Sequence, residues 1–297
     1  MSKKADRQFP AFGLRAMFAG RMDVRWCAFW TGGMAILWLW LKGNLNQPAL
    51  TQIETACVNT LVGALGVVTC SLLLGWGTAM VLHYLDRPRR RKAYLAVSFL
   101  LNLLRSVPQM VGMLLGYVAL TILIRGEVLP TKLAQLLAVS GITSLFIFQE
   151  VADLIRERIR HFMQSDFVNA LLVCGVPEIT VINREILRKN SFAYLVQKAV
   201  SVFGTGVFLV CSIDFIISVG LSTDVSLSNF PVTLGSMLAK LDSKQDILVI
   251  GTALIEPRLI PTLFVEHLQG VSVALIIVFT LLSVYKISNG LVDRYRL

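Results

Sequence analysis

The stretch "DFVNALLVCGVPEITVINREILRKN", Asp166 to Asn190, separates two long apolar runs. Immediately upstream, Val151, Leu154, Ile155, Ile159, Phe162 and Met163 recur at helical spacing, with Arg156, Glu157, Arg158 and Arg160 on other faces. The preceding apolar run therefore continues outward as an amphipathic helix. Gly175 permits a helix exit with positive φ. Pro177 suits the first turn of a following helix, where its missing N–H costs little. Glu178 suits the positive end of that helix, and "EITVINREIL" continues it toward the next apolar run. The stretch predicts a short helix pair closed by a sharp turn. On these grounds alone it is equally a plain connector between two membrane spans.

The 297 residues are 55% hydrophobic and only 15% charged. Mean hydropathy is +0.69. Ordinary soluble domains are less apolar, so the composition predicts a polytopic, all-α integral membrane protein. The basic start lacks an apolar core followed by a small-residue cleavage site, so no cleavable signal peptide is expected. Cys27, Cys57, Cys70, Cys174 and Cys211 form no C-x-x-C pair and read as isolated thiols. His83, His161 and His267 offer no metal-ligand spacing. No catalytic set and no metal site is expected. Fragments such as "GITS" lack a Ser-His-Asp setting.

A bilayer crossing needs about 20 apolar residues. Six candidates emerge: Trp26–Leu41, Val58–Leu85, Val97–Ile124, Leu133–Phe148, Tyr194–Leu221 and Val271–Tyr285. The stretch Ile247–Phe264 is interrupted by Glu256, Pro257, Arg258 and Pro261 and is not counted. With the N-terminus inside, the inner segments hold 20 Lys and Arg and the outer ones 6. The positive-inside rule then puts both termini in the cytoplasm. The net charge of +10 needs no nucleic acid to explain it. The run "RPRRRK" is a solvated loop beside lipid, or a specific anionic-lipid site. The expected organisation is an N-terminal part, 1–57, with the first span and a short outer segment. A transmembrane domain follows, 58–297, with an inner loop at about 150–192 and a large outer loop at about 222–270.

The inner loop resembles the signature loop of binding-protein-dependent ABC importer permeases. That pattern is Glu-Ala-Ala, three residues, Gly, then about ten residues and Ile-Leu-Pro. Asn169, Ala170 and Leu171 stand at Glu-Ala-Ala, Gly175 at the glycine, and Ile186 and Leu187 at Ile-Leu. Asn169 replaces the acid and Arg188 the proline, which weakens any charge-based contact. "LLRSVPQMVGMLLGYVAL" is similar to the third span of dipeptide, oligopeptide and nickel permeases, with Pro108 at the expected break. "SLSNFPVTLGSMLAK" resembles the segment after the fifth span, with Leu234 for the usual Trp. The tail around Gly290, Leu291, Asp293 and Arg294 is also similar. The likeness covers roughly Val58 to Leu297. The usual segment before span two is missing.

The resemblance implies a type I ABC importer permease fold of about six spans in a bacterial cytoplasmic membrane. It implies a second homologous permease subunit, two cytoplasmic ATPase domains and an extracytoplasmic solute-binding protein. ATP and Mg²⁺ would be used by the partners, with no cofactor on this chain, which has no phosphate-binding Gly-x-x-x-x-Gly-Lys-Ser/Thr. Asn169, Ala170, Gly175, Val176, Pro177, Glu178, Ile186 and Leu187 would couple the chain to an ATPase. The solute would be a short peptide or a related small molecule such as a metal chelate. Asp214 is read as a solvated acid near the outer interface or as a substrate contact. Arg105 either snorkels to the inner face or pairs within the bundle. Two other classes stay open. An ion-coupled secondary transporter would need paired intramembrane ionisable groups and inverted repeats. A non-transporting regulatory subunit would keep the loop alone.

Overall fold

In the computed structural model, the described residues are 22–220, 230–240, 268–295 and a few positions between 252 and 258. Expectations for residues 1–21, most of Ile247–Phe264 and much of the outer loop at 222–270 lie outside them. Every extended element among the described residues is helical. In chain order these are α1 (Met22–Asn44), α2 (Gln47–Leu85), α3 (Arg91–Ser106), α4 (Gln109–Arg125), α5 (Lys132–Met163) and α6 (Asp166–Val173). Then come α7 (Glu178–Thr180), a π-wound segment (Val181–Asn190), α8 (Phe192–Gly220), α9 (Leu234–Lys240) and α10 (Leu268–Tyr295).

Four helices are long and apolar enough to cross a membrane, namely α2, α5, α8 and α10. A bent pair, α3 with α4, makes a fifth if counted as one span. The chain is thus a helical protein of multi-pass membrane type, with four or five such spans among the described residues; six were expected. The helix around the expected first span is 23 residues long, ample at about 1.5 Å per residue. Trp, Gly and Thr dilute its Leu and Ile, and Asp23, Arg25 and Lys42 sit near its ends, so it is not among the four.

Two further boundaries differ from expectation. Residues 42–57 are not an open outer segment. Leu45 and Asn46 alone separate α1 from α2, with Pro48 in the first turn of α2. Nor is Val97–Ile124 one straight span. The chain turns by 93° between α3 and α4, at Pro108, which has no N–H to continue a helix and biases Val107 to extended backbone (ψ 122).

The core is α2 against α5, running in parallel. Gly66 and Gly75 make the close approach possible. A Cβ at Gly66 would lie 2.7 Å from Ser140 Oγ, and one at Gly75 would lie 2.7 Å from Val151 Cβ. Ser140 Oγ in turn donates to the Gly63 carbonyl at 2.9 Å. This is small-residue packing of the kind that replaces the hydrophobic drive inside a bilayer. Gly77, on the same helix, has nothing within 4 Å. Antiparallel α8 packs across α2, and α10 joins α8 to α1. Trp30 Nε1 donates to Thr280 Oγ1 at 3.1 Å, and Arg294 pairs with Asp23 at 3.1 Å. The C-terminal ends of α2, α5 and α10 therefore lie at one end of the bundle with the N-terminal ends of α1 and α8. The α6–α7 pair sits at this end, called the loop end below.

Candidate functional site

The helix pair is built by local rules. α5 runs unbroken from Lys132 to Met163. α6 closes on Gly175, whose φ is +82°. The Gly175 N–H donates to the Leu172 carbonyl at 3.0 Å and the Val176 N–H to the Leu171 carbonyl at 3.1 Å. These two bonds form a Schellman C-cap, which needs a left-handed residue at that position. Pro177 is the N-cap of α7, with extended backbone (φ −57°, ψ 134°).

Beyond Thr180 the helix widens, where a continuing α-helix was expected. Val181, Ile182, Ile186 and Leu187 are all buried. At about 100° per residue, an α-helix would spread these four positions over roughly 240°. A π-helix bonds i to i+5 and has a wider turn. It keeps residues five apart nearly aligned, so Val181 with Ile186 and Ile182 with Leu187 share one inward face. The winding satisfies burial that α geometry could not.

The opposite face is open. Asn169, Ala170, Cys174, Gly175 and Pro177 are exposed. Val173, not singled out from sequence, is 89% exposed, and Phe167 and Ile179 are also exposed. Val176 differs from its neighbours, being half-buried and packed on the core with Leu171 and Leu172. The tip is thus an outward apolar surface on a pair whose inner face is fixed.

Polar contacts tie this pair to the bundle. Glu178 accepts from Arg87 at 2.8 Å and bonds His83 Nε2 at 2.8 Å. Asn183 accepts from Trp76 Nε1 at 3.0 Å. Glu178 therefore does more than complement a helix dipole. It joins the turn to the end of α2. His83 and Arg87 carry no spacing signal toward residue 178, and sequence reasoning missed them.

Arg105, at the end of α3, donates to Gln149 at 3.0 Å and pairs with Asp153, both on α5. Arg105 is thus paired, but at the bundle surface, since both side chains of the ion pair are at least half exposed. Pro108 sits at the bend beside it.

A second polar centre lies in the bundle. Asp214 on α8 is only 9% exposed, so the solvated reading is overturned. Tyr117 of α4 donates to Asp214 Oδ1 and Thr233 to Oδ2. Thr233 precedes α9 and exchanges bonds with Ser236. The Thr233 N–H reaches Ser236 Oγ at 3.0 Å, and the Ser236 N–H reaches Thr233 Oγ1 at 3.2 Å. This is the reciprocal logic of a capping box. The Leu234 N–H donates to Thr60 Oγ1 at 3.0 Å, and Asn59 donates to the Val232 carbonyl at 2.9 Å. Phe230 stacks on Tyr117 with centroids 5.9 Å apart. A Cβ at Gly235 would lie 2.2 Å from the Cys211 carbonyl oxygen, so only glycine lets α9 seat there. The part of the expected outer loop that is described, residues 230–240, is thus docked into the bundle around one buried carboxylate. Burial of Asp214 was hidden because its partners lie 97 and 19 residues away.

Among the described residues no group of three or more His, Cys, Asp or Glu is arranged to hold a metal ion. Compared with protein-family models and with curated proteins, the chain gives no match to either.

Proposed function

We propose that this chain is the permease subunit of a binding-protein-dependent ABC importer. It carries short peptides or a related small solute across a bacterial cytoplasmic membrane, with both termini cytoplasmic. A second permease subunit completes the pathway, two ATPase domains supply the energy, and an extracytoplasmic binding protein delivers the solute. The observation that carries this reading is the apolar tip at Ala170, Val173, Gly175, Pro177 and Ile179 on a helix pair fastened to the spans. Such a tip costs free energy in water and suits a groove on a partner. Its inner face is buried and Glu178 holds α2, so a displacement of the tip moves the spans with it. That is the requirement for a rigid-body switch between inward and outward states.

The buried Asp214 favours a second reading, an ion-coupled secondary transporter, since an acid inside a bundle is a coupling candidate. Membrane vesicles holding the complete system separate the two. Uptake of short peptides that follows internal ATP and survives collapse of ion gradients supports the importer. Uptake driven by an ion gradient without ATP supports the rival and rejects the importer.

A further inference from the structure

At the loop end a cavity of about 250 Å³ opens between α2 and α5, lined by His83, Asp86, Arg156, Arg160 and Gln164 over an apolar floor that includes Leu82 and Ile159. His83 is already engaged by Glu178. Arg156 donates to the Tyr94 hydroxyl at 3.1 Å, but neither Arg156 nor Arg160 has a carboxylate partner among the described residues. Two guanidiniums with spare N–H donors therefore face one cavity, against the single exposed acid Asp86. The basic run from Arg87 to Lys92 adjoins it.

Helix α3 says what kind of anion reaches this place. It turns its polar side, including Ser98, Asn102 and Arg105, toward α5 around a small pocket that also includes Gln149 and Arg156. Leu95, Phe99, Leu100 and Leu103 point outward and are all more than half exposed. In water this arrangement would be inverted. It fits a helix whose outer face rests in acyl chains, with basic residues at its start. The cavity is therefore beside lipid, at the depth where an apolar floor meets charged side chains.

We propose that this cavity binds the phosphate of an anionic phospholipid headgroup, with Arg156 and Arg160 as its ligands. Guanidinium matches phosphate through paired N–H donors. The proposal does not depend on the transport reading.

The test uses the full-length protein in detergent, titrated with short-chain phosphatidylglycerol and followed by native mass spectrometry. Saturable binding of one lipid is expected, weakened about fivefold by Arg160→Gln and by a similar factor by Arg156→Gln. Arg160 is exposed and its loss leaves the fold intact. Arg184→Gln, which removes a charge elsewhere at the same end, should leave binding unchanged. Equal binding by phosphatidylcholine of the same chain length would overturn the proposal, as would Arg160→Gln with no effect or Arg184→Gln with the same effect. Displacement of the lipid by millimolar inorganic phosphate would reject the lipid as the source and assign the site to free phosphate. Failure of phosphate to compete supports the headgroup.

Discussion

Glu178, the first residue after the turn at the loop tip, lies 2.8 Å from His83 in the last turn of α2, a residue 95 positions earlier in the chain. With Arg87 on its other oxygen, this carboxylate fixes the angle of the helix pair to the longest helix of the bundle. The contact is partly exposed, so its worth is modest. Glu178→Ala should cost about 0.5–1 kcal/mol locally, after screening by solvent. Hydrogen exchange across residues 166–190 should rise while exchange in the core of α2 stays unchanged. Unchanged exchange in the loop would show that apolar burial alone holds the pair.

The turn itself depends on backbone conformation, not on space. A Cβ at Gly175 would meet nothing within 4 Å, yet its φ is +82°. Gly175→Val should therefore cost about 1 kcal/mol or more through left-handed strain. Gly175→Asn should be much milder, since Asn tolerates that region. Loop exchange rates and solute uptake in membranes with matched expression would check the order Gly, Asn, Val. Equal damage by Asn and Val would point to a steric cause the structure lacks.

Gly235 makes the opposite case. Its absent side chain makes room for the backbone of Cys211, and backbone cannot move aside as a flexible side chain can. Gly235→Ala should destabilise by about 1–3 kcal/mol, read as a lower melting temperature of the detergent-purified protein. Gly77→Ala, facing open space, should be neutral within error. Equal melting temperatures would mean α9 does not seat on α8.

Asp214 can be tested by exchange for Asn and Ala. Asn keeps an acceptor and can share bonds with two hydroxyls. Ala leaves Tyr117 and Thr233 without their acceptor inside the bundle, at about 1–3 kcal/mol for each unsatisfied group. Asp214→Ala should lower the melting temperature more than Asp214→Asn, and hydrogen exchange over Phe230–Lys240 should rise in step. Adding Tyr117→Phe to Asp214→Ala should cost less than Tyr117→Phe alone, because the orphaned hydroxyl is gone.

Much of the architecture was legible because it rests on local rules. The continuation of α5 past the apolar run followed from the spacing of Val151, Ile155, Ile159 and Phe162. The Gly175 turn followed from the Gly-x-Pro pattern. What stayed hidden was set by pairing between distant residues. Nothing near Asp214 announces Tyr117 or Thr233, and a rise per residue alone puts it near water. The π winding was missed because the burial of Val181, Ile182, Ile186 and Leu187 depends on what they pack against. The bend at Pro108 was visible as a proline, but its 93° needed the polar side of α3 to find α5. The first span is the least clear-cut of the six, because its tryptophans contribute area without strong apolarity.

The proposed orientation rests on the basic asymmetry, with α1 as the first crossing, and has its own test. Phosphatase and fluorescent-protein fusions after residues 45, 90, 128, 170 and 240 should read out, in, out, in and out. A phosphatase-active fusion after 170 would put the loop on the wrong side for an ATPase.

The central claim is that the tip meets an ATP-hydrolysing partner by shape and not by charge. Val173 is the residue that tests it best, because it is 89% exposed whereas Val176 is turned inward. A photocrosslinking amino acid placed at Val173 in native membranes should capture a protein bearing a Gly-x-x-x-x-Gly-Lys-Ser/Thr motif, identified by mass spectrometry. The adduct should persist in high salt, which screens exposed charge pairs but weakens packed apolar contacts far less. Capture of lipid alone, or loss of the adduct in high salt, would contradict the account.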